Sequence, residues 1–346
     1  MLKAFITGLA GLTLAPDEAR FLAAEKPCGV ILFARNCRSH EQIRTLVADA
    51  RTAIGSDRVL ILTDQEGGRV QRLRPPLGRA LPPAAAYGAL YGGDPAGALA
   101  FTCDVAHLLA EDLRALGIDT DCAPVLDVPV PGSHGIIGDR AFADTPAPVI
   151  ALAEAFADGL MRGGVLPVVK HVPGHGRATK DSHLDLPVVS TPAADLTYTD
   201  FAPFKALARM PAAMTAHVIF SAFDAERPAS VSALVHQRVI RGEIGYDGLL
   251  MSDDLNMHAL SGSLSARAEA VLRAGSDLAL HCNGNLAEMR EIATAVPRLD
   301  GYALRRFEAA QAVTRAPKPL TEARRATISA ELNDLLAMRG NRSESV

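Results

Sequence analysis

The residues best suited to chemistry are concentrated in one short segment, residues 170–183, which reads KHVPGHGRATKDSH. It carries three histidines, an aspartate and two lysines, separated by glycines and a proline. An apolar run, residues 165–169, precedes it, so we predict a buried strand that delivers Lys170 and His171 at its end and then a flexible loop. A loop so rich in titratable groups, placed after a rigid strand, is typical of a site that does chemistry.

Within that loop, Asp181 and His183 are separated by a single residue. A carboxylate at this spacing can accept an N–H from the imidazole, fix its tautomer and raise its basicity. A histidine supported in this way is a general acid/base, a role worth about 10²–10⁴-fold in rate. The spacing therefore favours proton transfer as the chemistry of this pair.

The elements that must position these residues follow a regular pattern. Eight short apolar runs recur along the chain, and most of the segments between them have helical periodicity. Strands that are apolar on both faces and alternate with helices predict an α/β fold with a parallel sheet covered by helices. Eight repeats favour closure into a single (β/α)8 TIM barrel over an open doubly wound sheet, and no Gly-rich dinucleotide fingerprint follows the first strand. The predicted strands are residues 4–8, 29–33, 59–63, 118–123, 165–169, 212–216, 248–251 and 277–280.

In such a barrel the chemistry lies at the carboxyl ends of the strands. Nearly every predicted strand is followed there by polar side chains, with carboxylates facing basic residues, which predicts a cleft for a small polar ligand. Taken singly, Asp64 and Asp253 could be ion-paired residues of the barrel rim, and Asp254 could orient its neighbour. The histidines at 217 and 281 have a structural interpretation as hydrogen-bonded residues of the barrel mouth. The strand-end residues are Asn36, Asp64, Glu66, Arg69, Arg72, Asp127, Asp139, Arg140, Lys170, His171, His217, Asp253, Asp254 and His281.

Composition narrows the class of protein and its partners. The 346 residues are 49% hydrophobic and 21% charged, with a net charge of -4, as in ordinary soluble globular proteins. No basic run is present and no apolar stretch reaches the ~18 residues of a membrane-spanning helix, so we expect neither a nucleic-acid nor a membrane partner. We predict one domain, residues 1–338, followed by a polar tail, residues 339–346, that does not fold. The sequence does not determine the oligomeric state, and a monomer is among the states that it allows.

The cysteines and the N-terminus bear on the compartment. Five cysteines, an odd number without CxxC spacing, fit a reduced cytosol better than a disulfide framework or a zinc cluster. The apolar N-terminal run could pass for a short signal peptide, but Gly8 and Gly11 interrupt it and no A-x-A cleavage site follows. We therefore interpret residues 4–8 as a core strand and predict a cytoplasmic protein.

Four motifs, in this order along the chain, resemble those of glycoside hydrolase family 3. They are DQEGGRVQR at 64–72, KHVPGHG at 170–176, DSH at 181–183 and SDDLNM at 252–257. The segments ILFARN (31–36) and GDRAF (138–142) fit the same family. The resemblance runs from the first strand to about Gly284. Within the family, the motifs most resemble those of the single-domain bacterial β-N-acetylglucosaminidases of peptidoglycan recycling. Val172 departs from the family pattern, which usually has an aromatic residue there.

The resemblance implies an activity and a role for each matched residue. The activity is that of a retaining exo-β-N-acetylglucosaminidase that cleaves GlcNAc-1,6-anhydroMurNAc species through a covalent glycosyl-aspartate, with no metal or organic cofactor and a small carbohydrate as partner. With no tryptophan in the chain, we expect the site to hold one sugar mainly by polar contacts. The implied roles are nucleophile for Asp253, acid/base for His183, assistance of His183 for Asp181, and substrate binding for Asp64, Arg72, Arg140, Lys170 and His171.

Two alternatives stay open at the level of sequence. One is a metal-dependent barrel hydrolase, although the first strand carries no His-x-His pair. The other is a non-catalytic sugar-binding barrel, whose expected signature is loss of the nucleophile or of the loop pair, and both are present. The ligands of the first alternative would be His171, His175, His217 and Asp253.

Overall fold

Eight parallel strands form a closed barrel in the computed structural model, which describes residues 1–182 and 184–343. Each strand pairs with the next one along the chain, and the last pairs with the first. This confirms the predicted single (β/α)8 barrel, and every predicted strand is present with shifted ends. The strands are β1 (Lys3–Gly8), β2 (Pro27–Leu32), β3 (Leu60–Thr63), β4 (Thr120–Asp121), β5 (Leu166–Val172), β6 (Ala212–Thr215), β7 (Leu249–Asp254) and β8 (Leu278–His281).

Helices cover the outside of the barrel. Local signals set their ends: the second helix begins after Ser39, whose side chain accepts the N–H of Gln42, and ends at Gly55, which has a φ of 71°. The helices are α1 (Pro16–Glu25), α2 (His40–Ile54), α3 (Ala84–Tyr91), α4 (Pro95–Arg114), α5 (Pro146–Arg162), α6 (Ala193–Tyr198), α7 (Ala202–Ala206), α8 (Leu264–Ala274), α9 (Leu286–Ala295), α10 (Gly301–Ala312) and α11 (Glu322–Ser343), with a π-helix at Val235–Glu243 before β7.

The strands bury both of their faces, in two separate apolar clusters. On β1, Ile6 belongs to the cluster inside the barrel, whereas its neighbour Phe5 packs in the layer between strands and helices. The same alternation holds on β3, where Leu62 lies inside and Ile61 outside. Since burial of one such side chain is worth about 1.5–3 kcal/mol, the two clusters account for the near-continuous apolar runs of the sequence.

The interior is closed at the end where the strands begin. Leu299 donates its N–H to Leu2 just before β1, and Leu299 and Phe307 join the interior cluster from the segment leading into α10 and from α10 itself. Further along, α11 packs on α4, buries Ile328 and continues past Met338, where we predicted the last helix to end. Among the described helices, none is long and apolar enough to cross a membrane.

Candidate active site

A cleft of about 440 Å³ opens at the opposite end of the barrel, where the strands finish. Most of the predicted site residues meet there, although they are far apart in sequence. Asp181 is not among the described residues of its lining, and His183 lies outside the described residues. The predicted residues that line the cleft are Asp64, Arg72, Arg140, Lys170, His171 and Asp253, and they are joined by Phe33, Arg35, Glu66, Arg69, Asp254, Cys282 and Asn283.

Asp64 follows β3 directly and is held by two cations. Its Oδ1 lies 3.0 Å from Lys170 Nζ, and its Oδ2 lies 2.8 Å from Arg72 Nη2. A short antiparallel hairpin, Gln65–Gly67 with Val70–Gln71, returns Arg72 to this position. Gly67 permits the turn, because it has a φ of 105° and a Cβ there would lie 2.3 Å from the carbonyl oxygen of Pro82.

The charges around Asp64 keep it ionised. Burial acts to raise the pKa of this carboxyl, but Lys170 and Arg72 outweigh it and hold the pKa well below its usual range. The same contacts raise the pKa of Lys170 against the opposing effect of its own burial. Both groups are therefore charged throughout the neutral pH range.

Glu66 is at the centre of the charged cluster that it forms with Asp64, Arg140 and Lys170. The sequence analysis gave Glu66 no role in binding. Its two carboxylate oxygens each lie 2.8 Å from Arg140, at Nε and Nη2, in a bidentate pair. Lys170 Nζ lies 2.6 Å from Glu66 Oε1 and so bridges Glu66 and Asp64. Glu66 thus fixes both cations. Its position two residues after Asp64, within the matched motif, was the available signal.

A buried carboxylate, Asp127, organises the end of β5. Its Oδ2 lies 2.6 Å from His171 Nδ1, and its Oδ1 accepts the backbone N–H groups of His171 (3.2 Å) and His175 (2.7 Å). Burial acts to raise the pKa of Asp127, and its contact with His171 outweighs this and lowers the pKa. With Nδ1 directed at Asp127, His171 has its Nε2 left for a ligand in the cleft. The sequence placed Asp127 at a strand end without predicting this function.

Asp253 is the next-to-last residue of β7, lines the cleft and is partly buried. Its Oδ1 accepts the N–H of Asp254 at 2.8 Å. The side chain of Asp254 accepts the N–H of Cys282 at 3.1 Å and that of Asn256 at 3.2 Å, which joins the end of β7 to the end of β8. The backbone around Asp253 is therefore held from two strands.

An aromatic side chain supports the arginines of the cleft mouth. The Phe33 ring, after β2, has the guanidinium of Arg72 4.9 Å from its centroid and that of Arg35 also at 4.9 Å. Arg72 is thereby fixed between an aromatic face and the Asp64 carboxylate. The segment ILFARN was noted in the sequence, but neither Phe33 nor Arg35 was assigned a function.

The loop after β5 carries the predicted acid/base pair. The backbone carbonyl of Asp181 accepts the N–H groups of Leu184 at 3.0 Å and Asp185 at 2.9 Å, which makes a tight turn. Ser182 Oγ lies 3.0 Å from His175 Nε2. Because His183 lies outside the described residues, its pairing with Asp181 stays a prediction.

Two of the three histidines of the metal-dependent alternative, His175 and His217, are engaged in other contacts. His175 lies against Ser182, and His217 donates from Nε2 to the Asp254 carbonyl (3.1 Å) while its Nδ1 lies 2.6 Å from Ser230 Oγ. Within residues 1–182 and 184–343, no group of three or more His, Cys, Asp or Glu side chains is arranged to hold a metal ion. The geometry of these side chains therefore does not support that alternative.

Comparison with known proteins agrees with this geometry. The family profile of the glycosyl hydrolase family 3 N terminal domain matches residues 7–316. A β-hexosaminidase of Alkalilimnicola ehrlichii is 44% identical over 287 residues, 82% of this chain and 81% of that protein, and one of Methylococcus capsulatus is 43% identical over 298 residues, 84% and 87%. Native NagZ from Neisseria gonorrhoeae superposes with a TM-score of 0.85 at 32% identity, over 96% of this chain and 98% of that one, and it has also been crystallised with N-trifluoroacetyl-D-glucosamine. The chain belongs to glycosyl hydrolase family 3 and is a glycosidase related to its β-hexosaminidases.

Proposed function

We propose that the protein is a retaining exo-β-N-acetylglucosaminidase that removes non-reducing terminal GlcNAc from muropeptide-derived GlcNAc-1,6-anhydroMurNAc species. The observation that carries the proposal is the placement of Asp253 beside a set of charged groups that are already fixed by one another in one cleft. The glucosamine derivative bound by the Neisseria gonorrhoeae relative is a sugar of the proposed type. The five cysteines are free, which fits a cytoplasmic site of action.

The binding step follows from unused hydrogen-bonding capacity. An ionised carboxylate offers about four lone-pair sites, and Asp64 uses two of them on Lys170 and Arg72. The others can accept hydrogen bonds from sugar hydroxyls, while Arg140 and His171, which line the same cleft, can contact hydroxyl oxygens. A cleft of about 440 Å³ is at the small end of ligand sites, which run from about 300 to 1,000 Å³, and suits one sugar better than a polymer.

The bond-breaking step is a displacement at the anomeric carbon. A carboxylate oxygen of Asp253 forms a bond to this carbon as the glycosidic C–O bond breaks, and His183 gives its proton to the departing oxygen. Water then attacks the same carbon, His183 takes a proton from it, and Asp253 leaves as the carboxylate. Two inversions give net retention. Asp181 holds the imidazole in the orientation that both steps need.

A histidine acid differs from the carboxylic acid that most glycosidases use. After giving up its proton it is neutral rather than negative, so it does not repel an anionic leaving group. This property suits an aglycone that carries a carboxylate, such as a MurNAc derivative.

The test is a panel of aryl β-glycosides that differ only in the 2-substituent, assayed with the GlcNAc-1,6-anhydroMurNAc disaccharide. We expect the 2-acetamido compound to be the best aryl substrate and the disaccharide to be cleaved, with activity retained in a chelator. Equal or faster turnover of the 2-hydroxy compound would contradict the proposed specificity. Mass spectrometry of enzyme quenched with a slow fluorinated substrate should show one glycosyl adduct, and Asp253→Asn should show none.

A further inference from the structure

The first residues of the loop after β5 are firmly held. Asp127 accepts the backbone N–H of His175, and the chain then passes so close to Val128 that a Cβ at Gly176 would lie 1.9 Å from its carbonyl oxygen. Arg177 donates to Asp200 Oδ2 at 2.7 Å, and Asp200 is itself buried. The His175 ring is therefore a fixed point close to the cleft.

Most of the described residues at the tip of the loop are exposed. Lys180 and Asp185 form an ion pair in which each side chain is 55% exposed, and Leu184 is 73% exposed. Ser182, between them, is only 2% exposed. A buried hydroxyl needs a hydrogen-bond partner, and His175 Nε2, 3.0 Å from Ser182 Oγ, supplies it.

We propose that Ser182 is a positioning residue, and that its hydrogen bond to His175 sets where the loop tip lies during proton transfer. The inference rests on the proposed function, because it assigns Ser182 a role only through the acid/base chemistry of His183. Ser182 is the residue between Asp181 and His183, and consecutive Cα atoms are about 3.8 Å apart. A contact that fixes Ser182 therefore restricts both members of the predicted pair at once.

The contact also links the two kinds of chemistry in the cleft. Asp127 holds the His171 ring, which lines the cleft, and the backbone of His175, which holds Ser182. The sugar-binding side and the loop tip thus share one buried support. A hydrogen bond of this kind shifts an equilibrium by about 2- to 10-fold, and a small misplacement of a catalytic group is felt directly in the rate.

The experiment compares Ser182→Ala with Thr179→Ala, which removes an exposed hydroxyl from the same loop. The rate constant kcat/KM is measured for aryl GlcNAc substrates with leaving groups of graded pKa, together with inhibition by free GlcNAc. We expect Ser182→Ala to lower kcat/KM by about 2- to 10-fold for poor leaving groups and much less for nitrophenolate. Inhibition by GlcNAc should be unchanged, and Thr179→Ala should behave as wild type.

A double-mutant cycle separates positioning from a general structural effect. In a His183→Ala background, Ser182→Ala should have no further effect, because the group that it positions is gone. Equal losses for all leaving groups, or losses that multiply with those of His183→Ala, would overturn the inference. Failure of the proposed function is distinguishable, since His183→Ala alone would then show no dependence on the leaving group.

Discussion

The two halves of the candidate site are built in opposite ways. The strand-end half is a buried network: Lys170 and Glu66 have side chains that are only 3% and 7% exposed, and they are joined at 2.6 Å. In the loop half, Lys180 and Asp185 form an ion pair at the tip, and both side chains are 55% exposed. Rigid, mutually paired charges suit recognition of a fixed sugar ring, and the loop half carries the proposed acid/base pair, Asp181 and His183.

The difference in burial has energetic consequences. Breaking a buried ion pair by removing one partner costs about 3–5 kcal/mol, because the other charge is left without compensation. An exposed pair contributes only about 0–1 kcal/mol, since solvent and salt screen it. Substitutions in the two halves should therefore fail differently, and the following predictions use this contrast.

The largest effect is expected for Asp253→Asn in the strand-end half. The amide keeps the shape of the side chain but cannot attack the anomeric carbon, so we expect turnover to fall by about 10³-fold or more while the barrel stays folded. Steady-state assay and circular dichroism check the two parts. If the purified variant kept a tenth of wild-type activity, another residue would have to be the nucleophile.

Asp64→Ala should come next, through loss of hydroxyl recognition. A buried hydrogen bond to a charged group is worth about 1.5–3 kcal/mol, which corresponds to a loss of about 10- to 100-fold in kcat/KM. The variant also leaves Lys170 with Glu66 as its remaining carboxylate partner. An unchanged kcat/KM on an aryl GlcNAc substrate would place Asp64 outside the site.

His175, in the first part of the loop, should make the free energy of unfolding depend on pH. Burial first, and then the nearby His171, lower its pKa to about 4, compared with about 6.5 in an unfolded chain. The unfolded state therefore binds a proton first, and the contribution of neutral His175 is complete above pH 6.5 and is lost as the pH falls towards 4. We expect the free energy of unfolding of wild type to fall relative to that of His175→Gln over this window, measured by denaturant titration. A difference that does not change with pH would contradict this.

The smallest effect is expected at the exposed tip. Lys180→Ala removes one partner of the Lys180–Asp185 pair, and we expect less than about 0.5 kcal/mol of change in the free energy of unfolding. A loss as large as that of a buried charge would show that the tip is packed more firmly than its exposure indicates. Thr179→Ala is the matched uncharged control.

The sequence predicted the barrel well because its strands are apolar on both faces, a pattern that depends only on local residues. The prediction failed most at β4, expected over 118–123 but limited to Thr120–Asp121. There the side chains of Asp119 and Asp121 accept the backbone N–H groups of Ile61 and Gln65, and so take the place of regular strand pairing. Such side-chain substitutions leave no periodic signal.

The sequence predicted which residues form the candidate site better than it predicted their contacts with one another. The strand-end rule placed Asp64, Lys170 and Asp253 at one end of the barrel, as the structure has them. Glu66 and Asp127 were placed at strand ends, but their contacts with Arg140 and His171 could not be predicted, because these contacts join residues that are 74 and 44 positions apart. Pairings of this kind depend on the closed barrel and on no local pattern.

The most direct test of the two proposed roles, sugar recognition by the strand-end half and proton transfer by the loop half, compares Asp64→Ala and His183→Ala across leaving groups of graded pKa. Protonation matters for a poor leaving group and little for a nitrophenolate, whereas recognition of the sugar is the same for all of them. Plots of log(kcat/KM) against leaving-group pKa should therefore be steeper than wild type for His183→Ala and parallel to wild type for Asp64→Ala. Parallel lines for both variants would mean that His183 is not the acid, and Glu66 and Asp254 would then be the first residues to test.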